Sequence, residues 1–111
     1  MTAQTLRLVM VSVPAEDKGN QIARQLVEER LAACVKNLPG AKAVYRWQGK
    51  VEESQEYILL IKTASDRLSQ VIERVVQLHP DEVPEVLALP VETAHQRYLE
   101  WVMRETRGVV Y

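Results

Sequence analysis

The chain has a single cysteine, Cys34, so an intrachain disulfide is excluded and nothing in it asks for an oxidising compartment. It has little net charge, −1, with the signs interspersed. That removes the basic stripe on which nucleic-acid binding depends. Its first residues, MTAQTLRLVMVSVP, lack a basic start, and their apolar part is only about one strand long. This is a poor secretory signal and far too short a run to cross a bilayer. The expectation is a cytoplasmic protein with no membrane or nucleic-acid partner. Linkers, repeats and low-complexity runs are missing too, so residues 1–111 are expected to form one domain around one core. Phosphate-cradling glycine loops, an HExxH pattern and a nucleophile elbow are also absent. No catalytic constellation can be assembled, and the chain is expected not to be an enzyme.

What is present is organised around residues 43–63, AVYRWQGKVEESQEYILLIKT. β-Branched and aromatic residues, Val44, Tyr45, Trp47, Val51 and the run Tyr57–Ile61, suit a pleated, half-buried surface. Gln48-Gly49-Lys50 offers a glycine for a tight turn. Arms of about ten residues at ~3.3 Å each reach roughly 33 Å, against a radius of gyration of only ~13 Å for a compact domain of this size. Such a ribbon is an aggregation liability unless another surface covers it. Tyr45 and Trp47 are therefore expected at an interface with further copies of the chain. The alternative is that these aromatics pair only across their own strands.

Around the hairpin the pattern is regular. Leu6–Val13 is apolar on both parities and closed by Pro14, which predicts a central strand. Ile22, Ala23, Leu26, Val27 and Leu31 predict a helix running to about Cys34. Cys34–Leu38 reads as a short strand, bent or bulged at Pro39-Gly40 before the hairpin. Ser65 is the expected N-cap of a second helix carrying Leu68, Val71, Ile72, Val75 and Val76 and stopped by Pro80. Val86–Val91, bracketed by prolines, predicts an edge strand or one finishing at Pro90. Thr93–Gln96 reads as a capping box for a third helix through Tyr98, Leu99, Trp101 and Val102. Gly108 is its expected stop, with Val109–Tyr111 a final edge segment. The predicted class is α+β: a ferredoxin-like βαββαβ sandwich with a long hairpin between its second and third strands and an extra C-terminal helix. Two helices cover one sheet face. Sister subunits covering the other face is a second reason to expect an oligomer.

Polar candidates are few. His79, Asp81 and Glu82 sit together in a loop and offer nitrogen and oxygen donors to a divalent ion; the plainer reading makes His79 a cationic cap on the preceding helix. Cys34, at an expected helix C-terminus, gains no acidity from the dipole and reads more simply as a small buried hydrophobe. Glu52, Glu53 and Glu56 form an acidic run that protects an edge or, between subunits, binds cations or pairs with Arg46 and Lys50. His95 is expected to be solvated.

The segments LAACVKNLPG (31–40), YRWQGKVEE (45–53), LLIKT (59–63), HPDEVPEVLALPV (79–91) and YLEW (98–101) together resemble the CutA divalent-cation tolerance proteins. The resemblance runs in order over nearly the whole chain. It implies a ferredoxin-like subunit, a homotrimer built through the long hairpins, and a cytoplasmic role in tolerance of copper and other divalent ions. It also implies an architecture similar to the PII signalling proteins. Asp81 stands where the family usually has tyrosine, Ala43 where it has serine, and Ala94 where it has glycine. Members proposed to bind copper carry a cysteine and a second histidine at the positions of Val11 and Leu78, so only His79 carries over. The leading expectation is thus a trimer that binds Cu2+ or Zn2+ weakly through the 79–82 group, with no organic cofactor. The alternative is a PII-like signalling or adaptor trimer taking a small ligand or partner in inter-subunit clefts near Glu56, Lys62, Tyr98 and Trp101.

Overall fold

The structure, a computed structural model, describes residues 5–107. Strand β1 (Leu6–Val13) leads into helix α1 (Glu16–Glu28), then strands β2 (Cys34–Trp47) and β3 (Lys50–Ala64). A 3-10 turn over Ser65–Arg67 precedes α2 (Leu68–Leu78), followed by β4 (Val86–Pro90) and α3 (Gln96–Glu105). The sheet has four strands in the order β2-β3-β1-β4, with every neighbouring pair antiparallel. This is the ferredoxin-like α+β arrangement read from the sequence, with β1 inside the sheet and the proline-bounded β4 at one edge.

Alternation fixes which face is which. Val9, Val11 and Val13 of β1, with Leu59 and Ile61 of β3, are buried against Ile22 and Leu26 of α1 and Val71 and Val75 of α2. A Leu or Ile removed from water in this way contributes roughly 1.5–3 kcal/mol. Residues of opposite parity lie on the other face: Leu8 and Met10 of β1, Ile58 and Leu60 of β3, and Leu87 and Leu89 of β4 are paired across it. Helix α3 covers one end of the molecule through a smaller cluster of Leu6, Ala33 and Val102, flanked by Leu99 and Trp101. Its C-terminus is held by Arg107, which forks onto Asp66 at 2.6 and 2.7 Å, and by Arg67 Nε donating to the Thr106 carbonyl at 2.7 Å.

The hairpin is longer than its pattern suggested. Cys34–Leu38 and the arm after Gly40 form one 14-residue strand facing a 15-residue partner. The register slips between Leu38 and Ala41, so Pro39 and Gly40 oppose the single residue Tyr57. Gly40 takes φ +90°, and the bulge bends the strand without ending it. The turn closes on two residues, not three: Trp47 pairs with Lys50, and Gln48 and Gly49 take φ of +50° and +80°. That is the type I′ geometry matching strand twist. The molecule measures 50 × 28 × 23 Å with a radius of gyration of 14.9 Å, beyond the ~13 Å of a compact chain of this length. The ribbon stands proud of the body.

Three local expectations are corrected. Helix α1 does not reach Cys34. It ends at Glu28, where Arg30 takes φ +59° and the N–H groups of Leu31 and Ala32 both turn back to the Leu26 carbonyl. Cys34 therefore opens β2, paired with Lys62, and the helix dipole does not bear on it. Helix α2 begins at Leu68, after the 3-10 turn, and the Ser65 hydroxyl accepts from the Thr5 N–H at 3.2 Å. The capping box is not formed at Thr93: His95 is the N-cap of α3, its Nδ1 accepting from the Tyr98 N–H at 3.4 Å. Gly108 and Val109–Tyr111 lie outside the described residues.

Candidate functional site

A cleft of about 720 Å³ lies where the hairpin rises past the end of β1. One wall is the hairpin face carrying Tyr45, Trp47, Ser54 and Glu56. Ser12 and Pro14 form the base, and the loop after α2, with Asp81, Glu82 and Glu85, forms the other wall. Residues of equal parity on β3 share a face, so Glu52, Ser54 and Glu56 are presented together. Both carboxylate oxygens of Glu56 are engaged: Ser12 Oγ donates to Oε1, and Ser54 Oγ donates to Oε2 at 2.8 Å. Among the described residues no lysine or arginine lines this cleft.

His79 sits behind the loop wall, with its side chain wholly buried. Its Nδ1 accepts from the Asp81 N–H at 3.0 Å, which leaves the ring proton on Nε2, donating to the Ser12 carbonyl at 2.6 Å. The imidazole therefore ties α2's exit and the 79–85 loop to the end of β1. His79 takes the helix-end position expected of a cap, as the C-cap of α2, and both of its ring nitrogens are engaged. They are spent on backbone groups, so in this arrangement neither is turned towards an ion. Asp81 and Glu82 are exposed. Among the described residues no three His, Cys, Asp or Glu side chains converge closely enough to hold a metal. The set His79, Asp81 and Glu82 does not fit a chelated Cu2+ or Zn2+.

The residues proposed for a ligand cleft are split between two places. Glu56 and Lys62 share a strand and a face but lie six positions apart, roughly 20 Å at ~3.3 Å per residue. Lys62 instead pairs with Cys34 at the α3 end. There the Tyr98 and Trp101 rings lie 5.7 Å apart, tilted by 35°. Burial raises the Tyr98 phenol above its usual range, and the neighbouring Cys34 adds to the shift. Tyr45 and Trp47 remain substantially exposed, at 43% and 45%, on the hairpin. Ser12, Ser54 and Glu85 were not anticipated. The alternation of Ser54 with Glu56 was visible, but Ser12 joins them only through the β1–β3 register.

A four-stranded antiparallel sheet with two helices on one face, a long hairpin and a third helix define a ferredoxin-like α+β fold. The chain belongs to the CutA1 family: the model of the CutA1 divalent ion tolerance protein matches residues 7–105. The divalent-cation tolerance protein CutA of Thermus thermophilus is 48% identical over 101 residues, covering 91% of this chain and 97% of that one. The human protein CutA is 44% identical over 99 residues; they cover 89% of this chain and 55% of the human one, so the match spans about half of that longer relative. Among solved structures, CutA from Xylella fastidiosa superposes with a TM-score of 0.91 at 43% identity, covering 93% of this chain and 99% of that one.

Proposed function

We propose that this chain is a non-enzymatic, homotrimeric divalent-cation tolerance protein of the cytoplasm that associates weakly with divalent ions such as Cu2+ or Zn2+. The observation that carries the assembly is the sheet face turned away from α1 and α2. Leu8, Met10, Ile58 and Leu60 form an apolar strip there, continued by Leu87 and Leu89, which are exposed at 53% and 41%. A contiguous apolar surface of this kind, rimmed by an exposed ribbon carrying Tyr45 and Trp47, is an association surface. Three copies meeting through these faces would bury it and brace each hairpin. Family membership supports the divalent-cation role. Among the described residues no three ligating side chains converge, so the ion contacts proposed are single exposed carboxylates, Asp81 and Glu82 among them, in keeping with weak association. Sedimentation equilibrium of the wild type and Leu60→Asp tests the assembly. The wild type is expected near three times the chain mass of 12.7 kDa, and a charge placed in the strip should dissociate it. A variant that sediments like the wild type would remove this face from the interface.

One observation favours a second reading, a PII-like signalling trimer that takes a small ligand. The cleft below the hairpin has the volume of an ordinary ligand pocket, about 720 Å³. A thermal-shift screen in which no metabolite raises the melting temperature counts against it.

A further inference from the structure

The open sheet face carries two charges for which its own chain supplies no counter-charge. On β3 the even-numbered residues point to this face, away from α1 and α2, and they read Glu56, Ile58, Leu60 and Lys62. Glu56 and Lys62 stand at opposite ends of the apolar strip, roughly 20 Å apart at ~3.3 Å per residue, too far to meet within one chain. Among the described residues neither takes part in an ion pair. Lys62 is half-buried on an inner strand, between Leu8 of β1 and Cys34 of β2. Lys36, by contrast, is exposed on the edge strand β2 and can keep its water. Glu56 is half-buried too, and it is held in place: Ser12 donates to one carboxylate oxygen, and Ser54 donates to the other at 2.8 Å. Hydroxyls brace a carboxylate without neutralising it.

The inference rests on the reading of the chain as a trimer joined through this face. Covering the strip takes both charges out of water, and a buried charge is tolerated only when it is paired. A three-fold ring is closed by heterologous contacts, in which unlike patches of neighbouring copies meet. Gathering like ends at the three-fold axis would instead crowd three carboxylates or three ammoniums together, which repulsion disfavours. We propose that Glu56 of each copy pairs with Lys62 of the next, so that every boundary carries one Glu–Lys bridge braced by Ser12 and Ser54. Glu56 is the acid that the strip itself carries; Glu52 shares its face but lies four positions further out on the ribbon. The bridge sets the register of the assembly. Sliding one sheet face over the other by two strand positions would leave both charges unpaired in apolar surroundings. Such a pair contributes selectivity of arrangement more than net stability.

A double-mutant cycle across the boundary is the test, with Glu56→Gln, Lys62→Gln and the two combined. Sedimentation equilibrium over a dilution series gives the concentration at which half of the trimer dissociates. Each single substitution should raise it at least tenfold, because each strands the other charge at a covered boundary. The combined variant should dissociate no more readily than the worse of the two single ones. Sites this far apart in one chain act independently, so non-additivity reports the contact between copies. Melting temperatures at one fixed protein concentration give the same cycle where the trimer is too tight to dilute apart, and circular dichroism checks that each variant is folded. A combined variant whose midpoint shifts by the product of the two single shifts overturns the pair while leaving the trimer. Single variants that dissociate no more readily than the wild type overturn it as well. A wild type that is not a trimer overturns the trimer reading and takes the pair with it.

Discussion

His79→Ala is the substitution with the most fully determined consequences. The imidazole is buried, donates from Nε2 to the Ser12 carbonyl at 2.6 Å and accepts the Asp81 N–H at Nδ1. Alanine removes both bonds and leaves a hole between β1 and the loop. The two losses are unequal. Asp81 is exposed, so its freed N–H can turn to water, whereas Ser12 is only 8% exposed and its carbonyl loses a buried donor. An unsatisfied buried acceptor costs about 1–3 kcal/mol. A cavity left by a side chain of this size adds a comparable amount after partial collapse. The expected loss is thus about 3 kcal/mol, or a fall in melting temperature of roughly 10–15 °C for a domain of this length. Melts followed by circular dichroism at one fixed protein concentration measure it, since assembly makes the midpoint concentration-dependent. His79→Gln, whose amide can still donate towards Ser12, should recover part of the loss. A melting temperature within about 1 °C of wild type would refute the linker role. A companion titration separates linker from ligand. At a temperature where both proteins are folded, Cu2+ should give the same heats with wild type and His79→Ala. Heats that vanish in the variant would make the imidazole a ligand after all.

Other substitutions probe other joints. Gly19→Ala should destabilise the protein, although the same change in an exposed helix interior gains about 1 kcal/mol. The new Cβ would stand 2.7 Å from Asn37 Nδ2 and 3.0 Å from a Val13 methyl, forcing the Asn37 amide off Asn20 and the Glu16 carbonyl; urea denaturation reads the sign. Asp66→Asn should cost no more than about 1 kcal/mol, because the Asp66–Arg107 fork is partly exposed and solvent-screened. Arg107 holds the Asp66 carboxyl below its ordinary 3.8, so that contribution is complete above this value and fades as the pH falls through the lowered one. The gap between the two proteins should accordingly close in strong acid, and a gap that persists or widens there would contradict the pairing. Gly49→Ala, at φ +80° in the hairpin turn, should cost roughly 1–2 kcal/mol in the same assay.

Much of the architecture was legible because burial tracks period. Val9, Val11 and Val13 of β1 and Leu68, Val71 and Val75 of α2 meet in the core as their spacing indicated, while Leu8 and Met10 lie on the opposite sheet face. Two of the misread boundaries share a cause: a residue at positive φ redirects the backbone there. Helix α1 stops at Glu28 because Arg30 enters the left-handed region and Leu31 and Ala32 fold back on Leu26, though Leu31 continues the helical spacing. Pro39-Gly40 looked like a break, but a glycine at φ +90° lets β2 absorb an extra residue and continue. The cleft was less legible than the fold. Glu56 stood out as an acid, yet its anchoring by Ser12 spans 44 residues and depends on which residues the sheet sets side by side. His79 was singled out for its donors, and those donors turned out to be satisfied by the backbone. A loop histidine's ring contacts cannot be read from its neighbours in sequence, because the Ser12 carbonyl it meets lies 67 residues away.

The association of sheet faces is tested most directly by the mass of the wild-type particle at micromolar concentration. Sedimentation equilibrium should return about three times 12.7 kDa, with no change on moderate dilution. A stable, well-folded species of 12.7 kDa would mean that Leu60, Leu87 and Leu89 rest in water, and would contradict the account.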